Sequence, residues 1–264
     1  NWPPKRIFND FPKNESFIYK KNKHGYPIVV EQFENFIKNY FKVKFCLSLN
    51  SGTSALQAAF FCLRLKKKDE VIVPNITFHA TVTPLLNYPS KIVFCDSEEE
   101  TGNICIKDLE KKITSKTKAV VITHLCGHAC DMNKIIQLKK KYKFTLIEDC
   151  SHSHLSKYNG KLLGTFGDLS IFSMDTNKIL STGEGGFLLT NNKNYFIQSL
   201  LTSDFGARLS SNLPKKILND FGDTGLGFKH RIHPYSAFIG LREFKKLKKY
   251  IRHRHKKLNY LSIK

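Results

Sequence analysis

The sequence predicts an α/β fold with three layers, in which helices cover both faces of a mainly parallel central sheet. Short apolar runs of strand length recur along the chain, and segments with helical periodicity separate them. With 264 residues, the chain is long enough to bury a complete core of this type. The runs that we interpret as strands are Val71–Val73, Ile92–Cys95, Ala119–Thr123, Phe144–Ile147, Leu169–Phe172 and Phe187–Thr190.

We divide the chain into an N-terminal arm, one large domain and a final helix. Residues 1–30 are expected to form an N-terminal arm, residues 31–241 one large domain, and residues 242–264 the start of a long connecting helix. Between the strands, the segments Asp108–Ile113 and Asn133–Lys141 have helical patterns. An apolar helical face near the start of the domain is expected to pack on the sheet. It consists of Phe33, Phe36, Ile37, Tyr40 and Phe41.

The first motif with chemical meaning is Ser51-Gly52-Thr53-Ser54, a small polar turn that opens an apolar helix. At a helix N-terminus, free backbone N–H groups and the positive end of the helix dipole converge on one point, which suits a phosphate. An ordinary Ser or Thr N-cap explains the same residues. Alone, the turn leaves both interpretations open.

The second motif is the pair of acids, Glu148 and Asp149, at the end of the apolar run that begins at Phe144. Active-site residues of open α/β sheets collect at the carboxyl ends of strands. A carboxylate at this place can keep a pyridine nitrogen protonated, and the protonated ring is an electron sink. A helix N-cap or a solvated strand end is the alternative explanation.

The third motif places Lys178 between Ser173, at a strand end, and the glycine-rich turn Gly183–Gly186. A lysine held beside a tight turn can form a Schiff base with the carbonyl of a cofactor. Taken alone, this motif is better explained as a β-turn with a solvated lysine. Phosphate turn, acid and lysine in this order along one chain indicate a cofactor site much more strongly than each does separately.

With these motifs, the chain resembles the large domain of the DegT/DnrJ/EryC1/StrS sugar aminotransferases, which are pyridoxal-phosphate enzymes of fold type I. The resemblance extends from about Glu31 to Leu241. It implies that pyridoxal 5'-phosphate is the cofactor and that no metal takes part. The segments that carry the resemblance are Ser51–Leu56, Asp69–Phe78, Val93–Asp96, His124–Gly127, Glu148–Asp149, Gly167–Asp168, Ser173–Lys178 and Gly183–Gly186.

The resemblance also implies a role for each site residue. Lys178 would bind the cofactor and act as the base and acid that moves a proton, and Asp149 would pair with the pyridinium nitrogen. Phe78 would stack on the ring, and His152 would contact its phenolic oxygen. The phosphate would be held by Gly52, Thr53 and Ser173. Across a two-fold interface, Lys229 would reach the phosphate in the partner's site and Arg231 would bind substrate.

The activity that the resemblance implies is transfer of an amino group from glutamate to a nucleotide-linked keto-sugar, in a homodimer with shared sites. Sugar 3-dehydratases of the same family are an alternative, although they have histidine where this chain has Lys178. Family members continue into a small C-terminal domain, which is expected to be absent here. A non-catalytic binding or assembly protein on a truncated transferase fold is therefore a further alternative.

The charge of the chain limits which partners the sequence indicates. The formal net charge is +21, and residues 242–264 hold ten Lys or Arg against the single acid Glu243. Such a run is most often a solvated helix face, and a nucleic-acid-binding or membrane-surface patch is the alternative. Because no nucleic-acid-binding signature accompanies it, the sequence does not favour nucleic acid as a partner. The apolar stripe of the same helix, expected to have few partners, is Leu241, Phe244, Leu247 and Ile251.

The cysteines and the hydropathy indicate the compartment. Seven cysteines without paired spacing indicate reduced thiols, and therefore a cytoplasmic location. No apolar run reaches the length of a membrane span.

The stretch His124–Cys130 holds four residues that can ligate zinc, and an extended backbone would place all four on one face. The resemblance places this stretch in a loop, which argues against a metal there.

Overall fold

A computed structural model describes residue 18 and residues 20–222, 224–226 and 228–262. Its centre is a seven-stranded sheet with the strand order β1-β9-β8-β5-β4-β2-β3. β9 is antiparallel to both of its neighbours, and the other pairs are parallel. The mainly parallel sheet predicted from the sequence is confirmed. The strands of this sheet are β1 Phe45–Leu49, β2 Glu70–Pro74, β3 Lys91–Cys95, β4 Thr117–Thr123, β5 Thr145–Asp149, β8 Leu169–Ser173 and β9 Gly186–Thr190.

Helices cover both faces of the sheet, as the three-layer prediction requires. The short hairpin β6 Lys157–Tyr158 and β7 Lys161–Leu162 lies outside the main sheet. Two single turns of 3₁₀ helix, His79–Thr81 and Thr83–Asn87, follow β2. The α-helices are α1 Ile28–Phe41, α2 Gly52–Cys62, α3 Ile106–Lys112, α4 Met132–Tyr142, α5 Lys193–Ser203, α6 Ala207–Asn212, α7 Lys215–Phe221 and α8 Pro234–Ser262.

Alternate strand residues divide between two separate cores, because successive side chains of a strand point to opposite faces. Val120 packs with residues of α1, α3, α4 and α8 on one face. Its neighbour Val121 packs with residues of α2 and α5 on the other face. Since the central strands are buried on both faces, they have the continuous apolar runs from which they were predicted.

The predicted apolar face of α1 packs on the sheet and on α8. Tyr40 and Phe36 lie with their ring centroids 4.8 and 5.3 Å from that of Phe244. Phe244 and Leu247 are buried. The expectation that the stripe of α8 has few partners is therefore wrong for its first half, because α1 covers it. From Arg252 to Tyr260 the helix is exposed.

Two element boundaries differ from the sequence prediction. α1 begins at Ile28, inside the segment predicted as an arm, and α8 begins at Pro234, before the predicted start at residue 242. Most of the predicted arm lies outside the described residues. β1 was not among the predicted strands. None of the helices in the described part of the chain combines the length and hydropathy that a bilayer span requires.

The sheet positions functional groups at one edge. β4, β5 and β8 are mutually parallel neighbours, and they end at Thr123, Asp149 and Ser173. α2 begins directly after β1, whose carboxyl end lies at the same edge because β1 is parallel to β8 across β9. The start of α2, an acid and the turn that carries Lys178 therefore meet there.

Candidate active site

A cavity of about 320 Å³ opens at the carboxyl edge of the sheet. All predicted site residues except Lys229 and Arg231 line this cavity. The predicted residues that line the cavity are Gly52, Thr53, Phe78, Asp149, His152, Ser173 and Lys178. Residues that are far apart in the sequence thus line one cavity.

The start of α2 forms a cradle, by which we mean the backbone of Ser51, Gly52 and Thr53 together with Ser173. The first N–H groups of a helix have no acceptor within it, so they are free to bind an anion. The Ser51 side chain caps the helix by accepting from the N–H of Ser54 at 3.0 Å. A Cβ at Gly52 would lie 2.8 Å from Cβ of Ser173, so only glycine allows this close approach.

Asp149 is held by two hydrogen bonds and is only 3% exposed. The Thr81 hydroxyl donates to Oδ2 at 2.7 Å, and the backbone N–H of Ser151 donates to Oδ1 at 3.0 Å. These bonds fix the plane of the carboxylate. Each oxygen retains acceptor capacity for a further donor, such as a protonated ring nitrogen in the cavity.

His152 is set up to donate a hydrogen bond from Nε2. Its Nδ1 accepts from the backbone N–H of Cys126 at 3.4 Å, so in the neutral ring the proton lies on Nε2. Burial, and then the charge of Lys178, lower the pKa of His152. The ring is therefore neutral near pH 7, and it can donate to an oxygen of a ligand in the cavity.

Lys178 lies in a turn that backbone hydrogen bonds hold together. Met174 donates its N–H to the carbonyl of Gly185 at 2.7 Å, and Thr182 donates its N–H to the carbonyl of Met174 at 2.9 Å. The Lys178 N–H bonds to the Asp175 carbonyl at 2.9 Å. Gly183 has a φ of 85°, a value that glycine adopts readily. This backbone holds the lysine at the cavity.

Phe78 lines the cavity, yet its side chain is largely exposed. Its residue accessibility is 60%, and its ring centroid lies 4.2 Å from that of His79. An exposed aromatic ring beside the cavity offers a flat apolar surface on which a ring-shaped ligand can stack.

Lys229 and Arg231 lie outside this cavity. Their segment runs along the end of β1, where the N–H of Asn50 donates to the His230 carbonyl at 2.8 Å. The Arg231 Nε is 3.5 Å from Asp204 Oδ1, and its guanidinium lies 4.5 Å from the ring centroid of Phe205. Lys229 is exposed. The predicted roles of both residues across an interface stay predictions.

The stretch His124–Cys130 is not extended. Leu125–Gly127 forms a 3₁₀ turn in which Cys126 has a φ of 51°, so the four potential ligands do not share a face. His124 and Cys130 are buried, whereas Cys126 and His128 are exposed. Among the described residues, one trio has its potential ligand atoms within 4.8 Å of one another, namely His124, Glu148 and Cys150.

Glu148 in that trio is already occupied by protein donors. It accepts from His124 Nε2 at 3.1 Å, from the N–H of Gly164 at 2.9 Å and from the N–H of Phe166 at 2.8 Å. The N–H of Gly167 and the Ser170 hydroxyl donate to it as well. Burial alone would raise the pKa of Glu148, but these bonds hold the pKa below its usual value. Its role is to fix the loop next to Asp149.

We expect Glu148→Gln to destabilise the protein strongly. Glutamine replaces one acceptor oxygen with an NH₂ donor that faces donors, and hydrogen bonds to a buried charge are worth about 1.5–3 kcal/mol each. Loss of two such bonds predicts a loss of roughly 3 kcal/mol or more in the free energy of unfolding, measured by urea denaturation. Glu110→Gln, at an exposed ion pair with Lys141, is the control and should change stability little. Equal stability of the two variants would contradict this account.

Several cavity residues were not identified from the sequence. Thr77, Thr81 and Thr123 contribute hydroxyl groups, and Asp175 and Glu184 contribute carboxylates. The available signal was weak: Thr123 ends a predicted strand, and Thr77 lies in the motif that ends at Phe78. Lys178 is the one lysine or arginine among the described residues that line the cavity, against three carboxylates.

The arrangement matches the functional groups of pyridoxal phosphate. The cradle offers N–H groups and the Ser173 hydroxyl to a phosphate, and the Gly52 position leaves no room for a side chain there. Asp149 offers an anion to a ring nitrogen, His152 a donor to a ring oxygen, and Lys178 an amine to a carbonyl. The donor set therefore fits this cofactor.

The sequence profile of the DegT/DnrJ/EryC1/StrS aminotransferase family matches residues 22–264. The chain therefore belongs to this family, and the resemblance noted from the motifs is confirmed. Among its relatives is the GDP-perosamine synthase of Escherichia coli O157:H7, which is 36% identical over 84% of this chain and 59% of its own length. Another is the UDP-4-amino-4,6-dideoxy-N-acetyl-beta-L-altrosamine transaminase of Campylobacter jejuni, 35% identical over 83% of this chain and 57% of its own length.

Solved structures share the fold. The E. coli GDP-4-keto-6-deoxy-D-mannose-3-dehydratase with bound hydrated PLP aligns with a TM-score of 0.80 and 28% identity, over 88% of this chain and 64% of that one. The chain spans less than two thirds of the length of these proteins.

Proposed function

We propose that the chain carries the cofactor site of a pyridoxal-phosphate-dependent aminotransferase that moves an amino group from glutamate to a nucleotide-linked keto-sugar. The observation that carries the proposal is that Lys178 and Asp149 line one cavity together with the N-terminal cradle of α2. The two relatives support the substrate class, because one is a GDP-perosamine synthase and the other is the transaminase of a UDP-linked amino sugar.

In this proposal each group has a defined task. Pyridoxal phosphate supplies a carbonyl that reacts with amines and a ring that takes up electrons. Lys178 Nζ would bind the carbonyl carbon, and as base and acid it would take up and return the proton that the transfer moves. Asp149 keeps the ring nitrogen protonated, and the cradle with Ser173 binds the phosphate. Phe78 stacks on the ring, and His152 donates from Nε2 to its phenolic oxygen.

The alternative within the family is a sugar 3-dehydratase, such as the structural neighbour described above. Lys178 argues against it, since the family resemblance implies that the dehydratases have histidine at this position. A binding or assembly protein without activity is the other alternative. The exposed basic part of α8 is compatible with it, but the complete donor set of the cavity favours catalysis.

One experiment separates these functions. Purified protein with added pyridoxal phosphate should develop a visible absorption band, which glutamate should remove and 2-oxoglutarate restore. With ¹⁵N-glutamate and GDP-4-keto-6-deoxymannose as probe, mass spectrometry of the sugar should show ¹⁵N. Loss of the sugar's 3-hydroxyl without ¹⁵N would identify a dehydratase. Protein that retains no absorption band of its own after unbound cofactor is removed would support the non-catalytic alternative.

We also propose a homodimer with shared sites. The cavity has three carboxylates and one lysine among its described residues, while a cofactor phosphate and a sugar diphosphate are anions. Additional cations are therefore needed. Lys229 and Arg231 supply them in the partner's cavity. Lys229 is the better residue to test, because Arg231 also pairs with the buried Asp204 of its own chain.

The shared site predicts complementation between two inactive proteins. Lys178→Ala and Lys229→Ala chains should each be impaired, and a mixed dimer should contain one site with both groups intact. Exchange of subunits should therefore restore up to about half of the parent activity per mixed dimer. If Lys229 serves its own chain, no site is complete and proven exchange gives no recovery. Such a result would rule out the shared site.

The cytoplasm is the location that we propose. All seven cysteines are free thiols, and most of them are buried. A reducing compartment keeps thiols in this state.

A further inference from the structure

Three threonine hydroxyls form a continuous hydrogen-bonded chain that ends at Asp149. The Thr81 hydroxyl is 2.7 Å from Asp149 Oδ2. The Thr77 hydroxyl is 2.9 Å from that of Thr81 and 2.9 Å from that of Thr123. We name the hydroxyls of Thr123, Thr77 and Thr81 the threonine relay. All three side chains line the cavity.

The carboxylate determines the direction of every bond in the relay. An ionised carboxylate can only accept, so the Thr81 hydroxyl must donate its single proton to Asp149. Thr81 must then accept from Thr77, and Thr77 in turn must accept from Thr123. The distances alone leave the donors open, but the chemistry of the last acceptor assigns all of them. Aligned hydrogen bonds of this kind polarise one another and strengthen the last bond.

The sheet topology explains why the three residues meet. β5, β4 and β2 are consecutive neighbours in the sheet. Thr123, the last residue of β4, is in register with Asp149, the last residue of β5. Thr77 and Thr81 belong to the segment that follows β2. Thr81 and Thr123 are 2% and 5% exposed, so water competes little for these hydroxyls.

We propose that the threonine relay positions Asp149 and strengthens its interaction with the ring nitrogen of the cofactor, with Thr81 as the essential positioning residue. The inference rests on the proposed function for its catalytic meaning. The relay itself is a property of the chain without cofactor. A purely structural role of Thr81, such as stabilising the 3₁₀ turn His79–Thr81, would leave the carboxylate of Asp149 unaffected.

The variants separate the hydroxyl from the shape of the side chain. Thr81→Val keeps the shape and removes the donor, and Thr81→Ser keeps the donor. Thr77→Val breaks the relay one step further away and leaves Thr81 able to donate. Thr83→Val, at an exposed threonine of the next 3₁₀ turn, is the matched control. Thermal unfolding checks that each variant is folded.

The first measurement uses the protein without cofactor. The ¹³C resonance of the Asp149 carboxyl carbon, assigned by its loss in Asp149→Asn, should move in Thr81→Val and move less in Thr77→Val. It should stay in place in Thr81→Ser and Thr83→Val. An Asp149 resonance that is the same in the parent, Thr81→Val and Thr77→Val overturns the proposal, whether or not the cofactor binds.

The second measurement uses protein loaded with ¹⁵N-pyridoxal phosphate. In Thr81→Val, the ring ¹⁵N shift should move toward that of a neutral pyridine, and the glutamate half-reaction should slow by about 10-fold with little change in KM. Thr81→Ser should restore both values. Unchanged ¹⁵N shifts and rates in a folded Thr81→Val would contradict the catalytic part. If the parent chain fails to bind the cofactor, the proposed function fails, and the carboxyl resonance alone decides the relay.

Discussion

Lys178→Ala is expected to abolish transamination while the protein stays folded. The variant loses both the amine that holds the cofactor and the group that moves the proton. Loss of a positioned acid–base group alone slows a reaction by about 10²–10⁴-fold. Lys178 is half-buried in a turn held by backbone hydrogen bonds, so its removal should change stability little. Single-turnover kinetics with glutamate, followed by absorbance, measure the effect.

The control for this prediction is Lys193→Ala, which removes an exposed lysine at the start of α5. It should leave the rate unchanged. Added methylamine should partly restore the rate of Lys178→Ala, because a free amine can replace the missing base. A Lys178→Ala protein that retains near-parent half-reaction rates would assign the proton transfer to another residue.

Asp149→Asn is expected to permit cofactor binding but nearly to abolish transamination. The amide cannot balance the positive charge of a pyridinium, so the ring becomes a poor electron sink. Loss of such an electrostatic partner costs about 2.7–4 kcal/mol in the barrier, or roughly 10²–10³-fold in rate. The same single-turnover assay applies, with the cofactor dissociation constant measured in parallel.

Asp131→Asn is a matched control for this substitution. Asp131 caps α4 by accepting from the N–H of Lys134, and asparagine is an equally good N-cap. Neither activity nor stability should change much in this variant. Near-parent rates in Asp149→Asn would show that Asp149 is a strand-end acid without a catalytic task.

The central strands could be predicted because burial on both faces gives each of them a short run of mainly apolar residues. β1 was missed for a physical reason. Its Ser48 is buried and donates both its N–H and its hydroxyl to Glu34 Oε1, at 2.8 and 2.7 Å. Glu34 belongs to α1, so the hydrogen bonds that allow Ser48 to be buried depend on tertiary contacts. The local sequence pattern does not show them.

The site was predictable to the extent that each residue lies at a strand end or a helix start. Asp149, Ser173 and Gly52 meet these conditions, and the structure brings them into one cavity with Lys178. The threonine relay was not predictable. Its hydroxyls come from the end of β4 and from the segment that follows β2, and these two strands are neighbours in the sheet although β3 lies between them in the sequence. Similarly, the stretch His124–Cys130 has suitable ligands for a metal, but a backbone turn at Cys126 separates them.

The central claim is that Lys178 is the lysine to which the cofactor binds. Protein loaded with pyridoxal phosphate should be reduced with borohydride, digested and mapped by mass spectrometry. We expect the pyridoxyl label on Lys178, and we expect that a pulse of glutamate before reduction removes it. A label on another lysine, or no label on protein that has bound the cofactor, would contradict the claim.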